Sequence, residues 1–135
     1  MSDFPPSITA LLVEDEAYFR KFVGQVLRNG LIDRVVEGRD GIEGVRLFKE
    51  NNPGLVLLDI NMPRMNGLET LAALRRLSST VPIIMLTSVS DEKIVEECVH
   101  AGATFFIRKD VSAGQLNAAL HEALAEFLGQ GKVVS

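Results

Sequence analysis

Four stretches of this 135-residue chain lead a short apolar run directly into polar or charged residues. "LLVEDE" delivers Glu14, Asp15 and Glu16, and "LVLLD" ends in Asp59. "IIMLTS" ends in Thr87 and Ser88, and "TFFIRK" ends in Lys109. A carboxylate at the end of a core segment is costly unless something compensates for it. Asp59 taken alone also reads as a strand-ending cap, and Lys109 alone as a surface lysine. Brought together, the four ends offer carboxylates, a hydroxyl and an ammonium in one small volume. Two like charges about 4 Å apart repel by roughly 4 kcal/mol at an effective dielectric near 20. Lys109 offsets one charge, and a divalent cation suits the rest. Oxygen donors that leave positions for water and phosphate fit Mg²⁺ better than Ca²⁺. With no Cys or His at these ends, Zn²⁺ is disfavoured. Asp59 could then accept a phosphoryl group as an acyl phosphate. Lys109 and Thr87 could each hold a phosphoryl oxygen, since phosphoryl transfer depends mainly on positioning and charge.

The elements that must position these residues alternate strictly. Apolar, β-branched or leucine-rich runs predict strands over 8–14, 33–38, 54–59, 81–88 and 103–109. Between and after them, helical spacing predicts helices over 16–30, 40–53, 66–77, 91–102 and 112–129. Phe19, Phe22, Val23, Val26 and Leu27 form the apolar face of the first helix, and Ile42, Val45, Leu47 and Phe48 that of the second. Leu116, Leu120, Ala123, Leu124, Phe127 and Leu128 form that of the last. Gly30 reads as a C-cap, and Pro53 ends the second helix. Five βα units imply an α/β fold, a doubly wound parallel sheet with helices on both faces. In such sheets the working site lies beyond the carboxyl ends of the strands.

Composition sets limits. The apolar share is 47% and the charged share 24%, ordinary for one globular domain. A formal net charge of −4 argues against a general nucleic-acid or anionic-membrane binder. Cys98 is the single cysteine, so it forms no internal disulfide, and a reducing cytoplasm suits it. The first seven residues carry no secretory signal, and no apolar run spans a membrane.

"LLVEDE", "LLDINMPRMNG", "IIMLTS" and "AGATFFIRK" occur in the order and spacing of receiver domains of two-component response regulators, and the chain resembles that family over about residues 8–128. The resemblance implies a flavodoxin-like, five-stranded sheet of order 2-1-3-4-5, with a lead-in over 1–7, a receiver over 8–129 and a tail over 130–135. It implies that Asp59 is the phosphoacceptor and that Mg²⁺ (or Mn²⁺) is bound by Asp15, Asp59 and the Asn61 backbone carbonyl, with Glu14 acting through water. Thr87 would be the switch hydroxyl, Phe106 the switch aromatic and Lys109 the phosphoryl contact. Asn61 and Val89 would tune the phosphate lifetime. The implied partners are a histidine kinase or a histidine phosphotransfer protein, meeting the first helix and the loop after the fifth strand. The fourth helix, fifth strand and last helix would form the output face, for a partner or a second copy. The resemblance implies a cytoplasmic signalling switch whose only chemistry is its own phosphorylation and slow dephosphorylation.

The sequence departs from the family pattern at several points. Glu14 and Phe106 stand where Asp and Tyr are commonest. Asp110 follows Lys109 where Pro is usual, so a trans bond or a strained loop is expected. Phe105 beside Phe106 suggests a docking surface near the fifth strand. Glu16 reads as a solvated charge at a helix start, and Arg75 and Arg76 as a solvated helix face. His100 and His121 read as exposed or structural, Cys98 as a small core residue, and Met62 and Met65 as loop anchors. The short tail suggests either a single-domain regulator or a receiver cut from a longer chain. Two rival readings are a haloacid-dehalogenase-like phosphatase and a phosphorylation-independent pseudo-receiver. The phosphatase would need an acid at position 61, where this chain has Asn.

Overall fold

The computed structural model describes residues 8–30, 32–88 and 92–128. The strands are β1 (Thr9–Val13), β2 (Arg34–Gly38), β3 (Leu55–Asp59), β4 (Ile83–Thr87) and β5 (Phe105–Arg108). The helices are α1 (Ala17–Arg28), α2 (Gly41–Asn51), α3 (Gly67–Leu77), α4 (Glu92–His100) and α5 (Ala113–Leu128). All strand pairs are parallel, in the order β2-β1-β3-β4-β5, as expected. The 1–7 lead-in, Val89, the last receiver residue Gly129 and the tail over 130–135 lie outside the described residues.

Strand alternation explains the two-layer core. Ala10, Leu12, Leu55, Leu57, Ile84, Leu86 and Ile107 pack with Val23 and Leu27 of α1 and with Leu116, Leu120 and Leu124 of α5. Their neighbours Leu11, Val13, Val56, Leu58, Ile83 and Met85 pack with Phe48 of α2, Leu71 and Leu74 of α3, and Cys98 of α4. β3 and β4 are buried at every position, which is why they read as unbroken apolar runs. Among the described residues no helix is long and apolar enough to cross a membrane.

Three local expectations change. Ile42 is 53% exposed rather than inward. α2 approaches the sheet on Gly44 and Phe48 instead, while Gly41 packs closely against Thr70 of α3 and Met65, and Ile42 sits about 100° round the helix from Gly41. A Cβ on Gly44 would lie 2.9 Å from Val13 Cγ2, so close approach by glycine replaces a large apolar contact. Asn29, not Gly30, caps α1, and its N–H donates to the Gln25 carbonyl. Asn52 in the left-handed region ends α2 ahead of Pro53.

The third change concerns Arg75, which is a clamp rather than a solvated residue. Its Nε donates to the Gly102 carbonyl (2.8 Å) and its Nη1 to the carbonyls of Val81 (2.7 Å) and Ser78 (3.2 Å). Its Nη2 reaches Thr104 Oγ1 (3.3 Å). One guanidinium thus ties the end of α3 to the turns entering β4 and β5. Arg75→Ala should cost about 2–3 kcal/mol, and the exposed Arg76→Ala under about 0.5 kcal/mol, in urea unfolding. Equal losses would remove the clamp from the account.

Asn66 opens α3 through a capping box with Glu69, which fixes where the helix starts. Gly67 then passes against β3, and its N–H donates to the Ile60 carbonyl at 2.8 Å. A Cβ there would meet the Asp59 carbonyl oxygen at 2.3 Å and Ile60 Cα at 2.6 Å. Both atoms are backbone, so neither can swing aside. Gly67→Ala should therefore destabilise by about 2–3 kcal/mol, measurable as a lower urea midpoint. Gly54→Ala, where a Cβ meets nothing within 4 Å, serves as the control.

Candidate functional site

The strand register brings the four predicted ends together. Val13 pairs with Leu58, so Glu14 and Asp59 leave adjoining strands at one level. Asp59 pairs with Leu86, one residue before Thr87. Thr87 pairs with Arg108, and the Lys109 N–H donates to the Thr87 carbonyl at 2.7 Å. By strand alternation Glu14, Asp59 and Lys109 share the parity of the face under α1 and α5. Thr87 and Phe106 share the other parity, and Phe106 is half-buried against the cluster that includes Cys98 of α4.

Lys109 is the hub of the site. Its Nζ lies 2.9 Å from Glu14 Oε1, 3.0 Å from Glu16 Oε1 and 3.4 Å from Asp59 Oδ1. It donates hydrogen bonds to Glu14 Oε2 (3.1 Å) and to Glu16 Oε1. The Phe19 ring lies 4.5 Å from the same ammonium, within cation–π range. Glu14, Asp59 and Lys109 are buried, at 0%, 2% and 4% exposure. Lys109 is held above its ordinary range. Burial alone would lower it, but hydrogen bonds to Glu14 and Glu16 and the charges of Asp59 and Glu14 outweigh that.

The buried acids are not fully compensated. Asp59 Oδ2 and Glu14 Oε1 accept no hydrogen bond, although Glu14 Oε1 is at ion-pair distance from Lys109. Burial first, and the Glu14 charge second, push the Asp59 carboxyl up to about 8, while Lys109 pulls it partly back. The neighbouring acids Asp15 and Glu14 further favour the protonated form of Asp59. The Asn61 N–H donates to Asp59 Oδ1 at 3.4 Å, so the loop after β3 folds back over the acid.

Glu14, Asp15, Glu16 and Asp59 each offer an oxygen, and these oxygens lie within 4.8 Å of one another. An all-oxygen donor set, with a buried Asp59 oxygen left unbonded, fits a hard divalent cation. Asp15 is exposed and leaves the cluster an open side toward solvent.

Several residues at the site were not assigned to it from the sequence. Glu16 is the N-cap residue of α1, but its side chain makes no cap hydrogen bond and binds Lys109 instead. Phe19, one turn later, does more than fill the core, because its ring faces the ammonium. Arg20 donates to the Glu14 carbonyl at 2.9 Å and pairs with Glu37, which steadies the acidic loop. Asp40 caps α2, and its carboxyl is held low by the Glu43 N–H and by Arg64. At Lys109–Asp110 the bond is trans, and Asp110 accepts from Arg108 Nε at 2.7 Å. His100 and His121 are exposed and Cys98 is buried, as expected.

A model described as the response regulator receiver domain matches residues 10–121. The chain is 31% identical over 114 residues to chemotaxis protein CheY of Bacillus subtilis (strain 168), covering 84% of this chain and 95% of CheY. It is 37% identical over 126 residues to the nitrate/nitrite response regulator protein NarL of Escherichia coli (strain K12). That match takes 93% of this chain but only 58% of NarL. The CheX–CheY–BeF₃–Mg²⁺ complex of Borrelia burgdorferi aligns with a TM-score of 0.79 and 26% identity, covering 90% of each chain. With its β2-β1-β3-β4-β5 sheet and the acids and lysine gathered at the strand ends, the chain belongs to the receiver-domain family of two-component response regulators.

Proposed function

We propose that this receiver accepts a phosphoryl group on Asp59 from a phosphohistidine of a histidine kinase or histidine phosphotransfer protein. The observation that carries the reading is Asp59 itself: a buried carboxyl beside Lys109, with one oxygen unbonded, inside a cluster of acids. Asp15, Asp59 and the Asn61 carbonyl would hold Mg²⁺ or Mn²⁺, with Glu14 acting through water. The bound ion would supply the positive charge that lets Asp59 ionise and that offsets charge on the phosphoryl oxygens. An Asp59 carboxylate oxygen attacks phosphorus. The P–O bond forms as the donor P–N bond breaks, and the imidazole leaves with the electron pair. Lys109 donates to one phosphoryl oxygen and the Thr87 hydroxyl to another. The acyl phosphate is later hydrolysed at the same site, so the protein is a switch with only self-directed chemistry. Asn61 is exposed and is neither an acid nor a base, which suits a stored phosphate. With Val89, it would set the phosphate lifetime.

The readout follows from Thr87 and Phe106, which share one side of the sheet. Inward movement of Thr87 toward the phosphate would let Phe106 bury further. That biases the face made by α4, β5 and α5 toward an output partner or a second copy. Phe105 at 42% and Val99 at 55% exposure give that face apolar contacts. The fully buried Cys98 fits a reducing cytoplasm. Incubation with Mg²⁺ and acetyl phosphate or phosphoramidate, followed by intact mass, tests the reading. The wild type should gain one phosphoryl group and Asp59→Asn none. No gain by the folded wild type would leave a phosphorylation-independent binding module.

A further inference from the structure

A phosphoryl group on Asp59 has to compete for the Lys109 ammonium with the carboxylates that already hold it. That ammonium has three hydrogens. They face two hydrogen-bond acceptors, Glu14 Oε2 and Glu16 Oε1, and a longer contact to Asp59 Oδ1. The two glutamates are not equivalent. Glu14 is fully buried, so breaking its bond would leave an uncompensated charge in the interior. The Glu16 side chain is 58% exposed, and once released its carboxylate returns to water. Exposed ion pairs of this kind are weak and readily exchanged. The Phe19 ring, one turn after Glu16, lies 4.5 Å from the same ammonium.

We propose that Glu16 is a positioning residue that parks Lys109 in the unphosphorylated protein and competes with the Asp59 phosphoryl group for its ammonium. The first turn of α1 thereby sets how readily the site accepts phosphate. This rests on the phosphoacceptor reading above. Glu16→Ala removes the competing acceptor. Glu16→Gln keeps an acceptor but removes its charge, so it should fall between Glu16→Ala and wild type.

The test pairs two measurements on the full chain. In the first, phosphorylation by acetyl phosphate at saturating Mg²⁺ is followed by intact mass against donor concentration and salt. Glu16→Ala should lower the half-saturating donor concentration about two- to five-fold, the range expected from losing one exposed ion pair. The wild-type value should fall as salt screens the pair, and that salt response should be much weaker in Glu16→Ala. In the second, the Lys109 side-chain amine is observed by NMR without metal or donor. Its signal should move in Glu16→Ala and less in Glu16→Gln, with the remaining spectrum unchanged. If the wild type is phosphorylated but the variants match it in donor dependence and in the Lys109 signal, the parking role is wrong. A raised Mg²⁺ half-saturation in Glu16→Ala with slower phosphorylation would make Glu16 a metal ligand and overturn the proposal. If the wild type takes no phosphate, the phosphoacceptor reading fails, and this proposal with it.

Discussion

Asp59→Asn should make the metal-free protein more stable than wild type at about pH 7, by about 2–4 kcal/mol. Asp59 titrates from an ordinary value of 3.8 up to about 8, chiefly because it is buried and next because Glu14 is charged. Between those values the unfolded chain has lost a proton that the folded chain keeps. Wild-type stability is therefore full below the unfolded value and falls as pH rises through the window toward the folded one. Asparagine has no proton to lose and relieves the repulsion with Glu14, so its profile should be flatter over the same range. Urea unfolding across that range without metal reads this directly, and parallel wild-type and variant profiles would contradict it. The acids belong to one cluster, so the slope reports the group rather than Asp59 alone. The penalty is also the reason to expect tight coupling to Mg²⁺. Binding an ion should release a proton near neutral pH, and wild type should gain more stability from Mg²⁺ than Asp59→Asn does.

Lys109→Ala should have the larger structural effect, a loss of about 3–5 kcal/mol, because it strands a buried charge. Glu14 at 0% exposure would lose its ion pair, and Asp59 would face it without the ammonium between them. Part of the cost should return when Glu14 is neutralised: Lys109→Ala with Glu14→Gln should be more stable than Lys109→Ala alone. Purely additive losses would mean that the ammonium acts through packing, for instance over the Phe19 ring, rather than through charge. The raised Lys109 titration has the opposite sign to that of Asp59. Its contribution is full below the ordinary lysine value of 10.5 and is lost as pH rises through the higher folded value. The ion pair therefore holds through neutral pH, where Asp59 already weighs against the fold.

How much of this was legible in the sequence depends on where the controlling contact lies. Asp59, Thr87, Glu14 and Lys109 could be found because each ends an apolar run, and parallel sheets gather such ends at one edge. The parallel sheet with helices on both faces followed from strict alternation, and the strand order from the family resemblance. Glu16 and Arg75 could not be read that way. Their decisive partners lie 93 and 27 residues away, and an exposed charge on a helix carries no local mark of a long-range acceptor. Ile42 turns outward against its apolar character, which apolar periodicity misses because it is blind to glycine. The inward positions of α2 include Gly41 and Gly44, which pack by bringing backbone close rather than by filling space. By family resemblance Phe106 falls at the switch-aromatic position, three residues before Lys109. Its packing toward α4 then follows from its parity with Thr87 rather than with Lys109.

The central claim is that phosphate is stored on Asp59 as an acyl phosphate. Treating the phosphorylated protein with borohydride reduces an aspartyl phosphate to homoserine, and peptide mass then places the change. Homoserine should appear at position 59, dependent on Mg²⁺ and donor and absent from Asp59→Asn. Reduction at Asp15 or another acid, or a phosphoryl gain that resists borohydride, would contradict it.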